Sequence, residues 1–148
     1  MVDYRGYSFE YHPKFKKEFN NILKRHQCPT LKDDFKLFID TLIVNLKENQ
    51  SFPEHICVYV AGLDSSVRLP AFVVKKFRCK KINRGVNSGF RFTFVFDSKR
   101  KRFIFVEFYI KNVKKVEDKN RINDLFKKPI KVQNELYEGE QDFLNFKS

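Results

Sequence analysis

Residues 84 to 97 read RGVNSGFRFTFVFD, and the second half of that stretch decides the fold. Phe90, Phe92, Phe94 and Phe96 alternate with Arg91, Thr93 and Val95. A period of two is the signature of a strand, with successive side chains on opposite faces. The four phenylalanines therefore share one face and must be buried together. Arg91, Thr93 and Val95 share the other, expected to be the open face of the sheet. Asn, Gly and Ser crowd residues 83 to 89, so a turn precedes the strand.

The flanks extend the pattern into a meander. Residues 70 to 82, PAFVVKKFRCKKI, read as a strand with Val73, Phe77 and Cys79 on one side. Lys76, Arg78 and Lys80 fall on the other. Residues 97 to 101, DSKRK, make a tight connection, and Arg100 and Arg102 place basic charge at a hairpin tip. Residues 102 to 111, RFIFVEFYIK, are apolar on both faces and read as a central strand. A short helix follows over 116 to 126, with Val116, Ile122, Leu125 and Phe126 as its apolar points, and Pro129 ends it.

Upstream, residues 4 to 12 alternate aromatic and polar side chains and read as an edge strand. Pro13 suits the first turn of a helix, and His12 before it is a cap-region residue. Phe15, Phe19, Ile22 and Leu23 recur at helical spacing, giving a helix over 13 to 26. Pro29 breaks it. Thr30 and Asp33 resemble a capping box, with Asp for the usual Glu. Leu31, Phe35, Phe38, Ile39, Leu42 and Leu46 give a second helix over 31 to 47. The short link makes the two an antiparallel hairpin. Residues 56 to 63, ICVYVAGL, are either a short strand or part of the loop before the sheet. The expected class is α+β: an N-terminal strand and helical hairpin packed on an antiparallel sheet, with a short C-terminal helix and tail.

Charge is unevenly spread. The chain of 148 residues carries a formal net charge of +12. Residues 1 to 67 balance nine basic against nine acidic side chains, whereas residues 68 to 102 hold twelve Lys/Arg against Asp97 alone. Such a patch favours a polyanion over a neutral partner. The tail is acidic, with Glu135, Glu138, Glu140 and Asp142 against Lys147. No apolar run is long enough to span a bilayer, so no membrane partner is expected. The N-terminus lacks a basic-then-apolar signal pattern. Three scattered cysteines, Cys28, Cys57 and Cys79, argue for reduced thiols and a cytoplasmic protein. His26 and Cys28 have no second pair at ligand spacing, so no metal or other cofactor is expected. With 18 Phe and no Trp, the aromatic residues are core material.

The order of elements and the Ser88-Gly89-Phe90-Arg91 segment together resemble the RelE/ParE superfamily of toxins from toxin–antitoxin systems. The resemblance runs from about Tyr7 to about Asp124. YSFEYHPKFKKEF is similar to the family's opening strand and helix. FVVKKFRCKKINRGVNSGFRFTFVFD is similar to its central hairpin, and FIFVEFYIKNVKKVEDKNRI to its last strand and short helix. The resemblance implies a RelE-like toxin domain over residues 1 to 128 and a separate acidic tail over 129 to 148.

It further implies a metal-independent, ribosome-associated mRNA endoribonuclease, a hydrolase of the mRNA interferase type. Its alternative is a DNA gyrase inhibitor of ParE type, or an inactive binding protein on the same fold. Partners would be an acidic antitoxin protein, together with mRNA and the ribosome, or gyrase. Carried over residue by residue, Arg91 would contact the scissile phosphate. Lys76 and Arg78 would hold phosphate or move a proton, and Lys111 would add charge at the end of the last strand. Lys80, Lys81, Arg84, Lys114 and Lys115 would bind RNA. One departure stands out: no Tyr or His occurs between Ile110 and Leu136, where some active members carry a general acid or base.

Overall fold

The computed structural model describes residues 3–25, 28–75, 77, 89–111, 113–114, 116–127 and the backbone of 133–136. Strand β1 (Ser8–Tyr11) leads into helix α1 (Pro13–Lys24) and helix α2 (Leu31–Asn49). Strands β2 (Cys57–Tyr59), β3 (Ala71–Val74), β4 (Phe90–Asp97) and β5 (Arg102–Ile110) follow. Helix α3 (Lys119–Lys127) and strand β6 (Gln133–Leu136) complete the order. The sheet order is β2-β3-β4-β5-β1-β6. The α+β class is as expected.

The sheet is mixed rather than antiparallel. β1 runs parallel to β5, pairing Ser8 with Arg102 and Tyr11 with Phe105, while every other pairing is antiparallel. β1 is also not an edge strand, because β6 lies on its far side, pairing Ser8 with Leu136. The alternation that suggested an exposed edge misleads at Glu10. That carboxylate is buried, and Arg102 meets it at 3.4 Å. β6 falls within the acidic tail, so part of that tail is a sheet strand.

Helix α1 starts where Pro13 predicts. His12 is its N-cap, and the His12 Nδ1 accepts the Lys14 N–H at 3.1 Å, which fills an otherwise orphan donor. Phe15, Phe19 and Ile22 turn inward. Helix α2 lacks the expected capping box. Thr30 instead donates its hydroxyl to Asp34 Oδ2 at 2.7 Å. The helix ends at Gln50 in a left-handed conformation (φ 59°).

Both helices pack on the face carrying Phe90, Phe92, Phe94 and Phe96, as the alternation requires. Phe35 sits at the centre, with ring centroids 4.9 Å from Phe92 and 5.2 Å from Phe105. Most of these contacts are edge-to-face, the arrangement the ring quadrupole prefers.

The opposite face is covered, which corrects the open-face expectation. Val60, Ala71, Val73, Val95, Ile104, Val106 and Ile122 form a second core, joined by Leu63, Val67, Leu69, Leu125 and Phe126. Thr93 and Val95 are fully buried. The second layer comes from α3 and the segment between β2 and β3, whose spaced apolar residues are too irregular to show a period. Val73 belongs to this second core, whereas Val74 and Phe77 belong to the first, so Val73 and Phe77 do not share a side. Val116 precedes α3 and is exposed, so it is not one of that helix's apolar points.

A bulge in β5 separates the register Thr93↔Glu107 from Phe94↔Phe105, leaving Val106 as the extra residue. Phe105 and Phe108 both reach the first core as a result. Cys57 is a buried free thiol, pushed up to about 12 by burial. Cys28 is buried and disulfide-bonded, which corrects the expectation that all three thiols are reduced. Cys79 lies outside the described residues. No helix among the described residues is long and apolar enough to cross a membrane.

Candidate nucleic-acid interface

Arg91 is the second residue of β4, and its cross-strand partner on β5 is Tyr109. Gly89, just before the strand, has φ +86°, and a Cβ there would meet nothing within 4 Å. The Lys111 N–H donates to the Gly89 carbonyl at 2.7 Å and closes this end of the hairpin. Lys111 is exposed. Arg91 and Lys111 are therefore brought to the same end of the β4–β5 pair.

Arg91 is half-buried, yet it has no ion pair among the described residues. The two carboxylates closest in sequence pattern are occupied elsewhere. Asp97 meets Arg102 at 3.7 Å. Glu107 is 1% exposed and accepts from Lys114 Nζ at 2.5 Å and from the Asp118 N–H at 2.8 Å. The bulge at Val106 is what sets Glu107 opposite Thr93 and brings it to α3. Lys114, expected to bind RNA, is thus the counter-charge of a buried carboxylate, with 41% of its side chain still in solvent.

Tyr109 is the aromatic neighbour that the sequence did not single out. Its hydroxyl is buried without a hydrogen bond of ordinary geometry among the described residues. Burial pushes the phenol up to about 12, Glu117 adds to the rise, and Arg91 opposes it. Tyr109 therefore stays protonated at neutral pH and is suited to donate a hydrogen bond rather than to take a proton.

A second polar cluster locks α3 to α1 across β5. The Arg121 guanidinium forks onto Glu18 at 2.8 and 3.1 Å and donates to the Val106 carbonyl at 2.9 Å. Glu18 Oε1 also accepts the Phe108 N–H at 3.2 Å. These contacts satisfy the stretch of β5 beyond its pairing with β1. His12 lies by this cluster and is held at about 4, through burial first and then the Arg121 and Lys14 charges.

Lys76, Arg78, Lys80, Lys81, Arg84 and Lys115 lie outside the described residues. No group of three or more His, Cys, Asp or Glu side chains able to hold a metal ion occurs among the described residues. Glu107, Glu18 and Arg121 escaped sequence reasoning because their roles depend on the bulge and on α3 crossing the second face. Comparison with protein-family models, with curated proteins and with solved structures found no match.

Proposed function

We propose that the chain is a toxin of the RelE/ParE type, acting in the cytoplasm on ribosome-bound mRNA as a metal-independent endoribonuclease. The observation that carries this reading is Arg91. It is a half-buried arginine at a strand end, and no carboxylate neutralises it among the described residues. Holding a cation part-way out of water without a counter-charge costs free energy, and an anionic ligand would offset that cost. The α+β order of strand, helical hairpin, meander and helix is compatible with such a toxin.

In that reading the RNA 2′-oxygen attacks the adjacent phosphorus, a P–O bond forms, and the bond to the 5′-oxygen breaks. The proton leaves the 2′-hydroxyl and one is delivered to the departing 5′-oxygen. Arg91 would hold the phosphate oxygens, on which charge builds in the transition state. Lys111, at the same end of the strand pair, adds to that field. An acidic antitoxin would neutralise the same basic surface.

One observation favours a second reading, that of a binding protein such as a gyrase inhibitor. Tyr109, beside Arg91, does not titrate near neutrality, so it offers no general base there.

Controlled expression in a bacterial host separates the two, with mapping of mRNA 5′ ends for wild type and Arg91→Ala. Codon-spaced cuts that vanish in the variant are the expected result. Growth arrest without cuts overturns the nuclease and supports the inhibitor.

A further inference from the structure

Helix α1 has a second face that the charge balance of the N-terminal half conceals. Lys14, Lys17, Asn21 and Lys24 are exposed, at spacings of three and four, and so form one stripe on the helix. Arg25 continues it past the C-terminus of the helix. The stripe extends about 15 Å at 1.5 Å per residue. The sole acid of α1, Glu18, is turned away to Arg121 and the Phe108 N–H. None of Lys14, Lys17, Lys24 or Arg25 joins an ion pair among the described residues.

This ridge borders a cavity of about 280 Å³. Asn21, Ile22 and Arg25 line it from α1, Phe108 and Ile110 from β5, and Val113 from the connection to α3. Its carboxylates, Glu18 and Glu107, already have cationic partners in Arg121 and Lys114. Val113 is 83% exposed at the rim. The cavity is therefore apolar on balance, beside a row of unpaired cations.

We infer that α1 and this cavity form a contact surface for single-stranded RNA. Phosphates would lie along Lys14, Lys17, Lys24 and Arg25, and a base would enter the cavity against Ile22, Phe108 and Val113. A row of cations alone suits any polyanion. The adjoining apolar cavity selects one that carries flat, largely apolar groups between its charges, which is a polynucleotide rather than an acidic peptide. Tyr109, the cross-strand partner of Arg91, also lines the cavity, but the cation row belongs to α1 and not to β4, so the inference rests on α1 and not on cleavage.

The test uses a fluorescein-labelled RNA of about 12 nucleotides and fluorescence anisotropy from about 50 to 200 mM KCl. The variants are Lys17→Ala/Lys24→Ala/Arg25→Ala, the charge-keeping Lys17→Arg/Lys24→Arg/Arg25→Lys, and Arg91→Ala. Three lost phosphate contacts lower the slope of log K against log salt by about 2. The charge-keeping variant retains the wild-type slope. Inorganic polyphosphate of equal charge, lacking bases, competes at least tenfold more weakly than RNA on a rough reckoning of stacking. A triple variant that binds as wild type, while Arg91→Ala loses binding, overturns this inference and leaves the Arg91 reading intact. Polyphosphate competing as well as RNA reduces the surface to a nonselective anion site and overturns it. Absence of RNA binding by the wild type overturns this inference and leaves the cleavage reading to the mapping of mRNA 5′ ends.

Discussion

The Lys114–Glu107 pair makes a prediction that runs against simple burial. Glu107 is 1% exposed and Lys114 is 41% exposed, so removing Glu107 looks like the larger insult. The reverse is expected. In Glu107→Gln, Lys114 is released to solvent at little cost, and the amide oxygen can still accept the Asp118 N–H, now 2.8 Å from Glu107. What is lost is the Lys114 bond and the charge assistance of the Asp118 one, about 1 kcal/mol after allowing for the exposure of Lys114. In Lys114→Met, the apolar stem is kept, but a carboxylate stays in the interior with one neutral donor. Breaking a buried pair in this way costs about 3 kcal/mol. Urea unfolding of both single variants and of the double variant closes the cycle. The double variant should fall near Glu107→Gln, because the stranded charge is then gone. A cost for Lys114→Met equal to or below that of Glu107→Gln would refute the reasoning, as would a coupling under about 0.5 kcal/mol.

The remaining predictions follow from single features. His12 is held at about 4 against an ordinary 6.5, so the unfolded chain binds the extra proton first. Stability is therefore full above pH 6.5 and falls as the pH drops toward 4, and His12→Asn, which keeps an N-cap, should flatten that profile of Tm against pH. Thr93 is fully buried and its hydroxyl has no hydrogen-bond partner among the described residues. Thr93→Val should raise the urea midpoint, by about 1 kcal/mol equivalent. Phe35→Ala removes the ring that meets Phe92 and Phe105 and should cost about 3–5 kcal/mol in the same assay. Arg91→Ala, by contrast, should shift stability by no more than about 0.5 kcal/mol, since no ion pair among the described residues is lost.

The helical hairpin and the phenylalanine face of β4 were legible because each rests on a local period with strong punctuation. Pro13, Pro29 and the spacing of Phe15, Phe19 and Ile22 leave few alternatives. The parallel partner of β1 was not legible, because Ser8 finds Arg102 across most of the chain and no local pattern encodes that. The second apolar layer was missed for a related reason. Val60, Leu63, Val67 and Leu69 cover the sheet without forming an element of regular period. The candidate site divides in the same way. Arg91 follows from strand alternation, whereas Tyr109 becomes its neighbour only through the hairpin register. Glu107 depends on the extra residue in β5, and a bulge of one residue leaves no mark in an apolar run such as FIFVEFYI.

The position of β1 between β5 and β6 has a consequence for how the molecule assembles. Its two flanks are supplied by Arg102–Phe105 and by Gln133–Leu136. β1 thus waits for segments made much later than itself before its backbone groups are paired in the sheet. During synthesis, at about 5–20 residues per second, Phe9 and Tyr11 have no strand beside them until the β4–β5 hairpin has formed. Closing so long a loop places their docking late and makes overall folding slower than the helical hairpin alone would suggest. Nascent β1 is therefore the strand with most reason to be sheltered before the sheet closes.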